Sequence, residues 1–235
     1  LKKEKAIEYY EQEKFIKATE LLTMVIPRYR ATEEAEYLSW ISSNCYYGLR
    51  DYMTAAAAFR NFADFYPYSE HAEEATFKAA YCDYLQAPRP SLDQAVTVSA
   101  IEGFVYFQRR YPASDKIEDS KILIKELQDK LVEKSYLSAK LYYDLKQYRA
   151  AIVALTNSLK EYPETKFREE LLFLKLESSH LYAIKSVANR QQERYQDTLD
   201  EYYSFIEEFP QSKFLKDVNR IYSHTAEVLS IDVSN

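Results

Sequence analysis

Apolar residues along this chain recur at three and four positions rather than at two, the period of an amphipathic helix and not of a half-buried strand. The clearest copies set a leading residue, usually aromatic, then a small residue three later and a large apolar one four beyond that. They are Phe15, Ala18, Leu22; Tyr52, Ala55, Phe59; Thr97, Ala100, Phe104; Tyr148, Ala151, Leu155; and Tyr195, Thr198, Tyr202. Such a stripe suits a helix that a neighbour approaches closely over its small residue. The same interval separates the head of each stripe from a hydroxyl residue: Thr32, Ser69, Ser114, Thr165 and Ser212.

Before four of these hydroxyls stands an aromatic-proline pair: Tyr66-Pro67, Tyr111-Pro112, Tyr162-Pro163 and Phe209-Pro210; Tyr29-Arg30-Ala31-Thr32 is a worn copy. Proline disfavours helical geometry in the residue before it and offers no N–H, so the pair closes a helix. The Ser or Thr is expected as the N-cap of the next, with acids in the turn that follows: Glu33 and Glu34, Glu70 and Glu73, Asp115 and Glu118. The pattern therefore predicts an all-α, tetratricopeptide-like α-solenoid of five helical hairpins and a C-terminal capping helix from Ser212 to Leu229. Copies lie 37, 45, 51 and 47 residues apart, longer than a minimal unit of about 34. Between Ser114 and Tyr148 no break occurs, which predicts one helix of roughly 30 residues and about 45 Å. It would join the first three repeats to the last two. Gly48-Leu49-Arg50-Asp51 reads as a tight hairpin turn, whereas Gln86-Ala87-Pro88-Arg89-Pro90-Ser91 reads as a stiffer loop.

Composition removes several functions. Only Gly48 and Gly103 occur, too few for a phosphate-binding loop, a dinucleotide fingerprint or a nucleophile elbow. The net charge of -6, with signs interleaved, leaves no basic stripe for nucleic acid. No run of 18 apolar residues is present to span a membrane. The chain starts at Leu1 rather than Met, which leaves room for a signal peptide or lipid anchor ahead of it. Cys45 and Cys82 hold equivalent places in adjacent repeats, too far apart to bridge, and read as buried free thiols. His71, His180 and His224 show no ligand spacing, and no Ser, His and acid are patterned as a nucleophile with its base. No catalysis, metal or cofactor is expected, and a helical prenyl or terpene-type enzyme would need Asp-rich motifs that are absent.

Five such units, the repeated Tyr-Pro-x-Ser/Thr, the run Tyr142-Tyr143-Asp144-Leu145-Lys146-Gln147-Tyr148-Arg149-Ala150-Ala151, and Ala87-Pro88-Arg89-Pro90-Ser91-Leu92-Asp93-Gln94 together resemble the BamD-like outer-membrane assembly lipoproteins over essentially the whole chain. The proline-bearing loop is similar to that of Bacteroidetes-type members. The resemblance implies a non-enzymatic protein on the periplasmic face of the outer membrane, held by an N-terminal lipid that this chain does not contain. It implies that repeats 1 to 3, residues 1–113, receive unfolded outer-membrane proteins. Residues 114–235 would dock on the periplasmic domain of BamA nearest its barrel, alongside other subunits of the assembly machine. No short motif marks that contact, so the docking expectation is regional.

Tetratricopeptide arrays line their groove with the first helix of each hairpin. Helical spacing puts Trp40, Asn44 and Tyr47 on that face, with Phe77, Tyr81 and Tyr84 in the next repeat and Lys3, Ile7 and Tyr10 in the first. An aromatic groove with amide and amine donors suits an extended client segment ending in a carboxylate. The alternative is that these rings pack hairpin against hairpin. The corresponding residues further on are Tyr136, Lys140 and Tyr143, then Phe173, Glu177 and His180, a more polar set suited to a folded partner such as BamA or to a solvated face. A Tol-Pal-associated periplasmic adaptor would be expected to have shorter, more uniform repeats. A cytosolic carboxylate-clamp co-chaperone would want Asn where Ile7 stands.

Overall fold

The computed structural model describes residues 1–29, 32 and 34–230. Among these residues the chain is all-helical and builds five antiparallel pairs and a last helix: α1 (Lys2–Glu11) with α2 (Phe15–Tyr29), α3 (Glu34–Gly48) with α4 (Tyr52–Phe65), α5 (Ala72–Gln86) with α6 (Ala95–Arg110), α7 (Ile117–Asp144) with α8 (Tyr148–Glu161), α9 (Arg168–Ile184) with α10 (Ala188–Glu208), and α11 (Leu215–Val228). This is the tetratricopeptide-like α-solenoid class that the periodicity predicts.

Turn chemistry explains where these helices stop. Tyr66, Tyr111, Tyr162 and Phe209 share one backbone conformation, φ between -125° and -129° and ψ between 60° and 71°, outside the helical region as the following proline demands. Each still donates its own N–H to the carbonyl four residues back. The worn first copy differs. Pro27 sits inside α2, and Arg30, Ala31 and the expected first-turn acid Glu33 lie outside the described residues.

The hydroxyls are not N-caps, which corrects the sequence expectation. The caps are His71, Phe167 and Phe214, two residues further on. Ser69, Ser114, Thr165 and Ser212 instead accept from the backbone N–H of His71, Lys116, Phe167 and Phe214, at 3.0–3.2 Å. Their own carbonyls accept from the third residue along, adding a tight turn ahead of each helix. The hydroxyl thus acts two residues ahead of the cap.

Within the first, second and fourth hairpins the turn is a Schellman motif. Glu13, Arg50 and Lys146 take φ of 55–59°, and the next residue donates to the carbonyl of Tyr9, Tyr46 or Tyr142. In the third hairpin the proline-bearing loop replaces it. Buried Gln94 holds that loop together by donating to the carbonyls of Arg89 and Leu92 and accepting from Thr97.

Two compact units result, residues 1–131 and 132–235, and the division falls within α7 rather than at residue 114. The first part of α7 packs in the first unit, where Leu127, with Leu123 and Ile124, meets Ala80, Ala100 and Phe104. Its last part belongs to the second, where Tyr136 and Ala139 join Ala151, Leu155 and Leu171. The small residue of each stripe, Ala18, Ala55, Ala100, Ala151 or Thr198, is fully buried. Beside Ala100, a methyl group added at Gly103 would stand 2.9 Å from the Cβ of Ala80.

Candidate functional site

The inner-position residues of each repeat divide into three rows. Those of the first row are covered by the next hairpin. The residue two past each hydroxyl reaches back: Glu34 pairs with Lys3 at 2.6 Å, His71 lies flat on Trp40 at 4.4 Å, Lys116 stands 5.7 Å over Phe77, Phe167 stacks on Tyr136 at 4.2 Å and Phe214 on Phe173 at 4.2 Å. Trp40, Tyr136 and Phe173 are 8–9 % exposed. Trp40 also packs against Phe59 and Phe62. These three rings therefore join hairpin to hairpin, and the packing alternative describes them better than an open groove does.

In the second and third rows the two units diverge. Of the first unit, Ile7 and Tyr10 are half-buried against the core, Tyr10 beside Phe15. Asn44 accepts from Lys78 at 2.8 Å, and that ammonium also lies 5.6 Å over the Tyr47 ring and pairs with Glu74. Along α5, Phe77, Tyr81 and Tyr84 form a continuous row, with centroids 6.1 and 5.6 Å apart and ring planes within 17° of parallel. All three are half-buried. Lys116 stands over the Phe77 end of the row, and Lys130 lies 6.0 Å from the Tyr84 ring at the other. Burial, and then neighbouring Tyr81, raises the pKa of Tyr47; the hydrogen bond to Glu126, at 2.6 Å, leads the causes that push Tyr84 up to about 12. Both stay neutral donors at any physiological pH.

In the second unit the corresponding polar groups engage one another. Tyr136 donates to Glu170 at 2.7 Å, and Lys140 pairs with the same oxygen at 3.0 Å. Burial opposes the charge on Glu170, but these hydrogen bonds outweigh it and hold the carboxyl below its ordinary range. Tyr143 donates to Glu177 at 2.7 Å, and its pKa rises through burial and then through that carboxylate. His180 meets His224 edge-on, with centroids 5.0 Å apart, and lies beside Tyr195; burial first, then His224 and Arg220, lowers its pKa to about 4. The sequence gives no hint of the His180–His224 contact, because the two lie on α9 and α11.

Among the described residues no group of three or more His, Cys, Asp or Glu is placed to hold a metal ion. Cys45 and Cys82 are buried free thiols, pushed by burial to about 11 and about 12, so neither is a thiolate at neutral pH. Among the described residues no helix is long and apolar enough to cross a membrane.

Stacked helical hairpins with an aromatic inner row define a protein of the helical-repeat class. The sequence pattern of the YfiO family, outer membrane lipoproteins, matches residues 4–194, and the chain belongs to that family. This accords with the resemblance drawn from the repeats. A comparison with curated proteins found no match.

Proposed function

We propose that this chain is a non-enzymatic scaffold of the machinery that inserts β-barrels into the outer membrane, held on the periplasmic face by a lipid carried ahead of Leu1. The first unit receives extended segments of unfolded outer-membrane proteins, and the second docks on the periplasmic domain of BamA. Family membership supports the setting, and one observation supports the client reading. Phe77, Tyr81 and Tyr84 form a half-buried row of rings flanked by the cations Lys116 and Lys130. An extended segment with alternate aromatic side chains and a terminal carboxylate meets both features. In the second unit Lys140 and Glu177 already have partners within the fold, so a folded surface rather than a flexible client is the expected occupant.

The test is binding of a fluorescein-labelled peptide that copies an outer-membrane strand ending in Phe and a free carboxylate. Tyr81→Ala is expected to weaken it about tenfold, as loss of one stacking partner would. Binding of BamA's periplasmic region should stay unchanged, and the melting temperature should hold within a few degrees. Unchanged peptide affinity, or a collapse in stability that matches the loss of binding, would overturn the client reading.

A further inference from the structure

Where α7 turns into α8, beside the end of α9, the second unit carries an open cavity of about 770 Å³ that contains none of the inner-position residues. Its apolar lining includes Tyr142, Tyr148, Val153 and Tyr182. Of these, Val153 is 56 % exposed. All its charged lining is cationic, from Lys146, Arg149 and Lys185, although acids outnumber bases in the chain by 37 to 31. Lys185 lies 4.7 Å over the Tyr148 ring, and none of the three cations makes an ion pair among the described residues. Unpaired cations of one sign around an apolar cavity, on a protein of net negative charge, are a complementary surface for carboxylates. A second cavity of about 300 Å³ shares Arg149, Val153 and Tyr182 with the first but mixes charges, with Arg194 beside Asp197, Asp200 and Glu201, so the purely cationic lining belongs to the first.

We propose that this cavity is a second recognition site, which takes an extended segment of a protein partner with Asp or Glu flanking a large apolar side chain. The apolar side chain enters among the tyrosines, and its neighbouring carboxylates pair with Lys146, Arg149 and Lys185. Open as it is, with Val153 and Tyr142 exposed, the site sets three cations around an apolar patch within one depression, which suits a segment that carries acids on either side of an apolar side chain. The proposal goes beyond the scaffold reading and does not depend on the aromatic row of the first unit.

The experiment uses the whole chain and a short fluorescein-labelled peptide in which Glu and Asp flank Phe and Leu, with a Lys-for-acid counterpart. Arg149→Glu combined with Lys146→Glu, both at exposed positions, should weaken the acidic peptide at least about tenfold. Val153→Asp should do the same, while Lys216→Glu, elsewhere on the second unit, and Tyr81→Ala should leave affinity unchanged. Circular dichroism melting checks that the variants fold. Equal binding of the Lys peptide, no saturable binding at physiological salt, or loss in the Lys216→Glu control would overturn the proposal. Sedimentation with phosphatidylglycerol vesicles in place of peptide binding would make the surface a membrane contact and overturn it too. If Tyr81→Ala alone abolished binding, the peptide would be held by the first unit's row, which sinks this site and leaves the client reading intact.

Discussion

The residue that covers the first inner position differs between the two units in one respect. In the first unit it is polar or charged: Glu34 on Lys3, His71 on Trp40, Lys116 on Phe77. In the second it is a phenylalanine laid flat on another ring, Phe167 on Tyr136 and Phe214 on Phe173, with planes within 9°. The position demands contact between consecutive hairpins, and a salt bridge, a cation over a ring or a stack each meets the demand. The choice matters for what is left open. A lysine over Phe77 keeps charge directly beside the aromatic row of α5, whereas in the second unit a ring intervenes, and Lys166 and Lys213 stand over the covers Phe167 and Phe214 at 5.0 and 4.9 Å.

The comparison breaks most readily by truncating the covers. Phe214→Ala should cost about 3 kcal/mol, since it removes a stacked ring and uncovers Phe173. Lys116→Ala should cost only about 0.5 kcal/mol, the scale of a partly exposed cation over a ring. Urea midpoints of the two variants measure the difference. Equal losses would mean that the covers of the two units carry the same weight.

Acid provides a second, smaller contrast. At the inner positions of the first unit Lys3, Tyr10, Tyr47 and Tyr84 are all raised further from neutrality, whereas the second unit holds His180 with a pKa near 4. In the unfolded chain this histidine titrates near 6.5, so below that pH the unfolded state binds a proton that the folded state refuses. Stability is therefore fully present above pH 6.5, falls as pH drops towards 4, and levels off below it. The contribution is about 2 kcal/mol once partial exposure is allowed for. Melting temperature against pH between 4 and 7 should flatten in His180→Gln; an unaltered slope would place the acid sensitivity elsewhere.

The hairpins were legible in the sequence because proline, the small stripe residue and the turn hydroxyls act locally, within a few residues. Their register correctly places Tyr81 and Tyr84 beside Phe77. For Trp40, Tyr136 and Phe173 the sequence leaves the surroundings undecided, because their covers come from further along the chain, and only the distance between helices shows that His71, Phe167 and Phe214 reach them. A signal was present two residues after each hydroxyl, where every copy has a large or charged side chain, but their chemistries differ too much to read as a pattern. The domain boundary shifted for a similar reason. A continuous helix gives no local mark of where its packing partners change, and α7 changes them beyond Leu127. The cationic cavity takes Tyr142 and residues 146–150 from the run that carries the family resemblance, but that run reads as a hairpin turn until Val153 of α8, Tyr182 of α9 and Lys185 just after it close round it.

The finest test compares a feature that the units share. Tyr84 donates to Glu126 in the first and Tyr143 to Glu177 in the second, at nearly equal lengths of 2.6 and 2.7 Å. Replacement by Phe deletes one donor and leaves the ring, so the cost depends on how well water can serve the abandoned carboxylate. Glu126 is exposed and Glu177 half-buried, and burial is the leading cause of the raised pKa only for Tyr143. Tyr84→Phe should therefore lose about 0.5 kcal/mol and Tyr143→Phe about 1.5 kcal/mol by urea denaturation. The reverse order would show that hydrogen bonds hold the first unit's row more firmly than the second unit's polar pairs, and that the aromatic surface of α5 is less free to receive a client than its geometry implies.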